Sequence, residues 1–169
     1  MDLESLNSLP AAEAEQALLQ CCGSTRWARE IANARPYESL ESLTRTANDV
    51  WWSLEPGDWL EAFRSHPKIG EKRAAADVSA QSRQWSGHEQ AALNNASRDT
   101  VDSLATLNRA YEQKFGFIFI ICATGKTSDQ MLSALRDRLD HDAATELRIA
   151  ATEQSNITEL RLKKLVNIA

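Results

Sequence analysis

The chain has 169 residues, 43% of them hydrophobic, and carries 24 acidic against 19 basic side chains for a net charge of −5. Such a chain fits one globular domain with a core of ordinary size, and its acidic balance argues against nucleic acid or an anionic membrane as partner. No segment reaches the roughly 20 apolar residues of a membrane span, and Cys21, Cys22 and Cys122, an odd set with two adjacent, make no disulfide framework.

The cysteine set makes a reducing cytoplasm the expected compartment, and in chain order the opening MDLESLNSL lacks the basic and apolar blocks of a secretory signal. Ala11 to Cys22, rich in Ala, Leu, Glu and Gln, predicts a helix stopped by Gly23. A second helix covers Thr25 to Ala34 and ends before Pro36. Leu40, Leu43, Ala47, Val50, Trp51 and Leu54 recur at three- and four-residue intervals and predict a third over Ser39 to Leu54. Past Glu55-Pro56-Gly57, Asp58 can cap a short helix through Ser65, and Ser79 to Asn95 is again helical in pattern. Ser97 or Asp99 caps a helix running to Phe115 before Gly116. Ser128 to Asp140 predicts another helix, and Asp142 to Ile168 one or two more. Only Phe117 to Cys122 reads as extended, and one strand cannot make a sheet. The expectation is an all-α, compact single-domain bundle of about eight helices over residues 1–169, with one buried extended connector. Its backbone groups need partners, and a polar ligand could supply them.

The connector leads into Gly125-Lys126-Thr127, the letters that close a phosphate-binding loop. Such a loop needs a glycine five positions before the Gly-Lys pair, and that position holds Ile120. The spacing excludes the nucleotide reading and leaves a turn and helix cap.

Three polar positions stand out. In WSGHEQAALNNA, Trp85, Glu89, Ala92, Leu93 and Ala96 share one face of a continuous helix, whereas His88 lies about 100° round and is expected at the surface. A carboxylate on an apolar face is costly unless it is paired or used. Arg161 sits on the stripe of Ile157, Leu165 and Ile168, while Lys163 and Lys164 point elsewhere. An Arg so placed either snorkels or clamps an anion. Pro67 pushes His66 out of the α region, so the preceding helix ends there, and the negative end of its dipole favours the imidazolium form. Such a His either caps the helix or exchanges protons in catalysis. The following Lys68-Ile69-Gly70-Glu71 supplies a turn, with Gly70 free to take positive φ. Histidines at 66, 88 and 141 show no i, i+4 pairing and no Cys-x-x-Cys exists, so no metal site is expected. Cys122, inside the apolar run without an evident base, reads as inert core.

Together, His66-Pro67-Lys68-Ile69-Gly70, Ser86-x-x-Glu89-Gln90, Leu107-Asn108-x-x-Tyr111-x-x-Lys114-Phe115-Gly116-Phe117, Gly125-Lys126 and Ile157-x-x-Leu160-Arg161-Leu162 resemble the 2-oxo-4-hydroxy-4-carboxy-5-ureidoimidazoline (OHCU) decarboxylases. The segments fall in the family's order and spacing over nearly the whole chain. One departure is Ile118, where the family often has Pro, so this chain keeps an N–H there. The resemblance implies a compact all-helical homodimer that needs no metal or organic cofactor and converts OHCU to (S)-allantoin with loss of CO2 in urate breakdown. It implies His66 and Glu89 as catalytic residues. Substrate contacts would come from Pro67, Ser86 and Gln90, from the backbone of Phe117, Ile118, Phe119, Ile120 and Ile121, and from Arg161. Two other classes stay open on the residues themselves: a hydrolase or isomerase of a related ureide using the same His/Glu pair, and a non-catalytic helical interaction module.

Overall fold

The computed structural model describes residues 1–69 and 80–166. The turn expected at Gly70 and the stripe position Ile168 lie outside the described residues. Among those residues the secondary structure is nine α-helices and one 3-10 turn, with no strand, so the chain is all-α as expected. The helices are α1 (Leu3–Ser8), α2 (Ala11–Leu19), α3 (Thr25–Asn33), α4 (Leu40–Ser53), α5 (Pro56–Arg64), α6 (Ala80–Glu89), α7 (Arg98–Phe115), α8 (Ser128–Leu139) and α9 (Ala143–Leu165). None of them is long and apolar enough to cross a membrane.

The helix ends follow their capping chemistry. Ser24, Ser39, Ser97 and Thr127 each accept a backbone N–H from the first turn of α3, α4, α7 and α8. Gly116 closes α7 at φ 78°, a conformation that suits glycine. Four expectations change. The hexapeptide helix α1, which the sequence pattern does not suggest, forms on Asp2 as cap and buries Leu6. Helix α2 stops at Leu19, and the tighter bond from Cys21 N to Leu18 O at 2.9 Å ends it before Cys22. Pro56 opens α5 at the position where a missing N–H costs nothing, and Asp58 folds back to accept from Glu55 N at 3.2 Å. Helix α6 ends at Glu89, and Ala91–Asn95 winds as a 3-10 turn. Asn94 and Asn95 are poor helix formers, and Ala92 and Leu93 turn to pack on a nearby core, so the continuous face through Glu89 does not exist.

The chain folds as two compact units. The first holds Met1–Ala62 and the chain from Ser155 onward. In it α2 packs on α3 and α3 on α4, burying Leu6, Leu18, Trp27, Ile31, Leu43 and Trp51. Two of its buried indoles satisfy their N–H groups on backbone carbonyls, Trp27 on Ala47 at 3.0 Å and Trp59 on Trp51 at 2.9 Å. Arg35 does the same for loose helix ends, donating to the carbonyls of Leu6 and Ala32 at 2.7 Å and Leu9 at 2.8 Å.

The second unit, Phe63–Gln154, packs α7 against α8 around Leu104, Tyr111, Met131 and Leu135. The non-helical chain between Gly116 and Thr127 crosses this core. Phe119, Ile121 and Ala123 face it at alternate positions and Phe117 packs onto its edge, the two-residue period of extended backbone.

Candidate active site

The second unit holds His66, Glu89 and the connector. Arg64 ends α5, and His66 N donates to Phe63 O at 3.2 Å in a last turn that Pro67 prevents from continuing. The segment after it is clamped to α7, because Asn108 Nδ2 donates to Ile69 O at 3.0 Å and Lys68 pairs with Glu112 at 2.7 Å. The half-buried His66 ring meets α9, with Nε2 2.6 Å from Oε1 of the fully buried Gln154.

Gln154's neighbour reaches the connector. Glu153 Oε2 accepts from Cys122 N at 2.7 Å, and Lys126 Nζ donates to Cys122 O at 2.8 Å. Further up, Arg138 Nη1 donates to Ile120 O at 2.6 Å. Among the described residues, no hydrogen bond is made by the amides of Ile118, Phe119, Ile120 or Ile121. The connector is thus fixed through its carbonyls and its C-terminal end, while a run of N–H groups stays available to a polar ligand. At its start, the rings of Phe63 and Phe117 lie 5.5 Å apart, which ties it to the end of α5.

Behind the connector sits a charged cluster that the sequence pattern does not single out. Arg138 Nε and Nη2 hold Glu146 Oε1 at 2.6 and 2.5 Å, Tyr111 donates to the same oxygen, and His141 Nδ1 lies 3.0 Å from Glu146 Oε2. Burial pushes the Tyr111 phenol up, so it remains a donor. The Arg138 guanidinium also stacks 4.5 Å from the centre of the Phe119 ring.

Glu89 ends α6 half-buried, and its charge reaches the connector. The Cys122 thiol is held above its ordinary range, first by burial, with Lys126 opposing and the Glu153 and Glu89 carboxylates adding. That environment suits the inert role expected for Cys122. Ser86 is buried, Pro67 and Gln90 are half-buried, and His88 is exposed as expected. Phe119, Ile120 and Ile121 are buried, while Phe117 and Ile118 are half-buried. Arg161 belongs to the first unit. It is only 3% exposed, with Nη1 3.5 Å from Gln20 O, so its head group does not snorkel. Lys163 and Lys164 are exposed.

Gly125-Lys126-Thr127 forms a turn and cap. Gly125 has φ 79°, Lys126 N donates to Ala123 O at 3.0 Å, and Thr127 makes a reciprocal capping box with Gln130.

Residues 7–163 match the family model described as OHCU decarboxylase. The chain is 42% identical over 146 residues to the uric acid degradation bifunctional protein TTL of Arabidopsis thaliana, covering 86% of this chain and 45% of that protein, so it spans less than half its length. It is 29% identical over 163 residues to a 2-oxo-4-hydroxy-4-carboxy-5-ureidoimidazoline decarboxylase of Haloferax volcanii, covering 96% and 94% of the two chains. A crystal structure of OHCU decarboxylase in the presence of (S)-allantoin superimposes with a TM-score of 0.75 at 38% identity, covering 88% of this chain and 95% of that one.

Proposed function

The chain belongs to the OHCU decarboxylase family, and on that premise we propose that it converts OHCU to (S)-allantoin and CO2 in urate breakdown, with His66 and Glu89 as its catalytic pair. The observation that carries the proposal is a half-buried histidine at a helix end, braced by a buried amide at 2.6 Å, in the same unit as a connector whose Ile118 to Ile121 amides make no hydrogen bond among the described residues.

The chemistry needs no added electron sink. The carboxylated carbon of OHCU adjoins a C=N bond, so the electron pair of the breaking C–C bond moves into a C4=C5 bond while the C=N pair moves to nitrogen, which takes a solvent proton. The resulting enediol-like species becomes allantoin when the C4 hydroxyl gives up its proton and C5 gains one. His66 moves that proton, and the face it serves sets the (S) configuration. The amides of Phe117 to Ile121, with Pro67, Ser86 and Gln90, hold the amide-rich ring and ureido group. Glu89 orients or balances His66, and Arg161 neutralises the anionic substrate or supports Glu89.

The whole chain would act as one such domain, without metal or organic cofactor. Three buried cysteines outside any disulfide fit a reducing cytoplasm, and assembly as a homodimer rests on the family resemblance. Freshly generated OHCU followed by ultraviolet absorbance tests the proposal. Decay accelerated in proportion to protein, with matching CO2 release, is the expected result, and an unchanged spontaneous rate would sink it.

A further inference from the structure

We infer that Gln154 is a positioning residue that fixes the tautomer of His66, placing the ring proton on Nε2 and making Nδ1 the basic nitrogen of the neutral ring. This rests on the proposed role of His66. With the Gln154 amide in this orientation its Oε1, 2.6 Å from His66 Nε2, accepts the hydrogen bond and Nε2 donates it. A neutral imidazole carries one proton, and committing it to Nε2 leaves the lone pair on Nδ1.

Gln154 is built for the task. Its side chain is fully buried in the middle of α9, a helix of 23 residues. Its neighbour Glu153 binds Cys122 N at 2.7 Å, so two consecutive side chains of one helix hold the histidine and the connector. Consecutive residues on a helix project about 100° apart, which lets a single turn set both. An amide also accepts the bond without bringing a charge into the interior, so it orients the ring at no cost in buried charge.

The tautomer decides how His66 enters the reaction. Nδ1 takes the proton from the C4 hydroxyl as the carbonyl forms, and the same proton is then delivered to C5, so His66 ends each turnover as it began. Charged groups nearby are Arg64 and Lys68 beside His66, Glu112 paired with Lys68, Glu153 beside Gln154, and Glu89, whose charge acts on Cys122 of the connector. None of these is altered in the test.

The full chain labelled with 15N-histidine, with His66 assigned by comparison with His66→Gln, gives the tautomer from long-range proton–nitrogen correlations. The expected wild-type result is the Nε2–H form alone. Gln154→Leu, close in volume, should show a tautomer mixture and lose about tenfold in kcat with little change in KM. Gln154→Glu should keep the Nε2–H form and shift the acid limb of the kcat/KM profile upward, since a carboxylate stabilises the imidazolium. Gln154→Leu with a pure Nε2–H ring and the wild-type pH profile would overturn the inference. A wild-type protein inert toward OHCU would instead defeat the proposed function, and the tautomer spectra alone would then decide the assignment of Gln154.

Discussion

Arg138 holds the carbonyl of Ile120 at 2.6 Å, and the rest of its guanidinium binds the fully buried carboxylate of Glu146. One side chain therefore fixes the middle of the connector and compensates an interior negative charge. Removing it breaks both functions.

Arg138→Met should accordingly cost about 3–5 kcal/mol, because it strands a buried charge. Adding Glu146→Leu should recover much of that loss, since an apolar replacement of the whole pair leaves no orphan charge. Urea denaturation of the single and double variants checks this. A single variant as stable as wild type would show that the pair carries little of the connector's rigidity.

Thr127 caps α8 through a reciprocal box with Gln130, so Thr127→Ala should lower stability by about 0.5–2 kcal/mol. Magnesium-ATP should leave the melting temperature of wild type and variant unchanged, because the Gly-Lys-Thr sequence here makes a turn and cap. A nucleotide-dependent rise in melting temperature would contradict that assignment.

Cys22 is fully buried, and burial, the largest influence on its thiol, pushes it up to about 12 from an ordinary value of 9.0. Between those values the unfolded chain ionises and the folded chain does not. Stability is therefore full below pH 9 and falls as pH rises toward 12, at up to about 1.4 kcal/mol per pH unit. Cys22→Ser should reduce the part of this decline that begins first, leaving the share of the Cys122 thiol, which burial also raises. Tyr37, also pushed up to about 12 by burial, contributes only above its ordinary value of 10.0. Urea midpoints measured at pH 8, 9 and 10 on both proteins separate the two groups.

Glu89→Gln keeps the size of the side chain and removes its charge. Under the proposed pairing with His66 it should lower kcat/KM by at least about tenfold, or 1.4 kcal/mol of transition-state stabilisation, with the fold intact by circular dichroism. Unchanged kcat/KM would return Glu89 to the role of a helix-end charge.

Much of the fold is legible where the signal is local. The caps at Ser24, Ser39, Ser97 and Thr127, the stop at Gly116 and the bend at His66-Pro67 depend on residues within one or two turns, and the sequence pattern marks each region. Helix α6 reads too long because periodicity does not register the poor helix propensity of Asn94 and Asn95. Helix α1 is too short to show a period at all. Arg138, Glu146, Glu153 and Gln154 do not stand out in the sequence because their partners are distant in the chain: Gln154 meets His66 across 88 positions. A signal for two of them is present. Glu146, Ala150 and Gln154 follow four-residue spacing and are all fully buried, the same anomaly of polar residues on an apolar stripe that marks Arg161.

Turnover of OHCU at His66 is tested most directly by the circular dichroism of allantoin formed from fresh OHCU with wild-type protein and with His66→Ala. Wild type should give (S)-allantoin in enantiomeric excess at an accelerated rate. His66→Ala, still folded, should lose about 10²–10⁴-fold in kcat and yield the racemate of the spontaneous reaction. Racemic product from wild type, or undiminished (S)-allantoin from His66→Ala, would contradict the account.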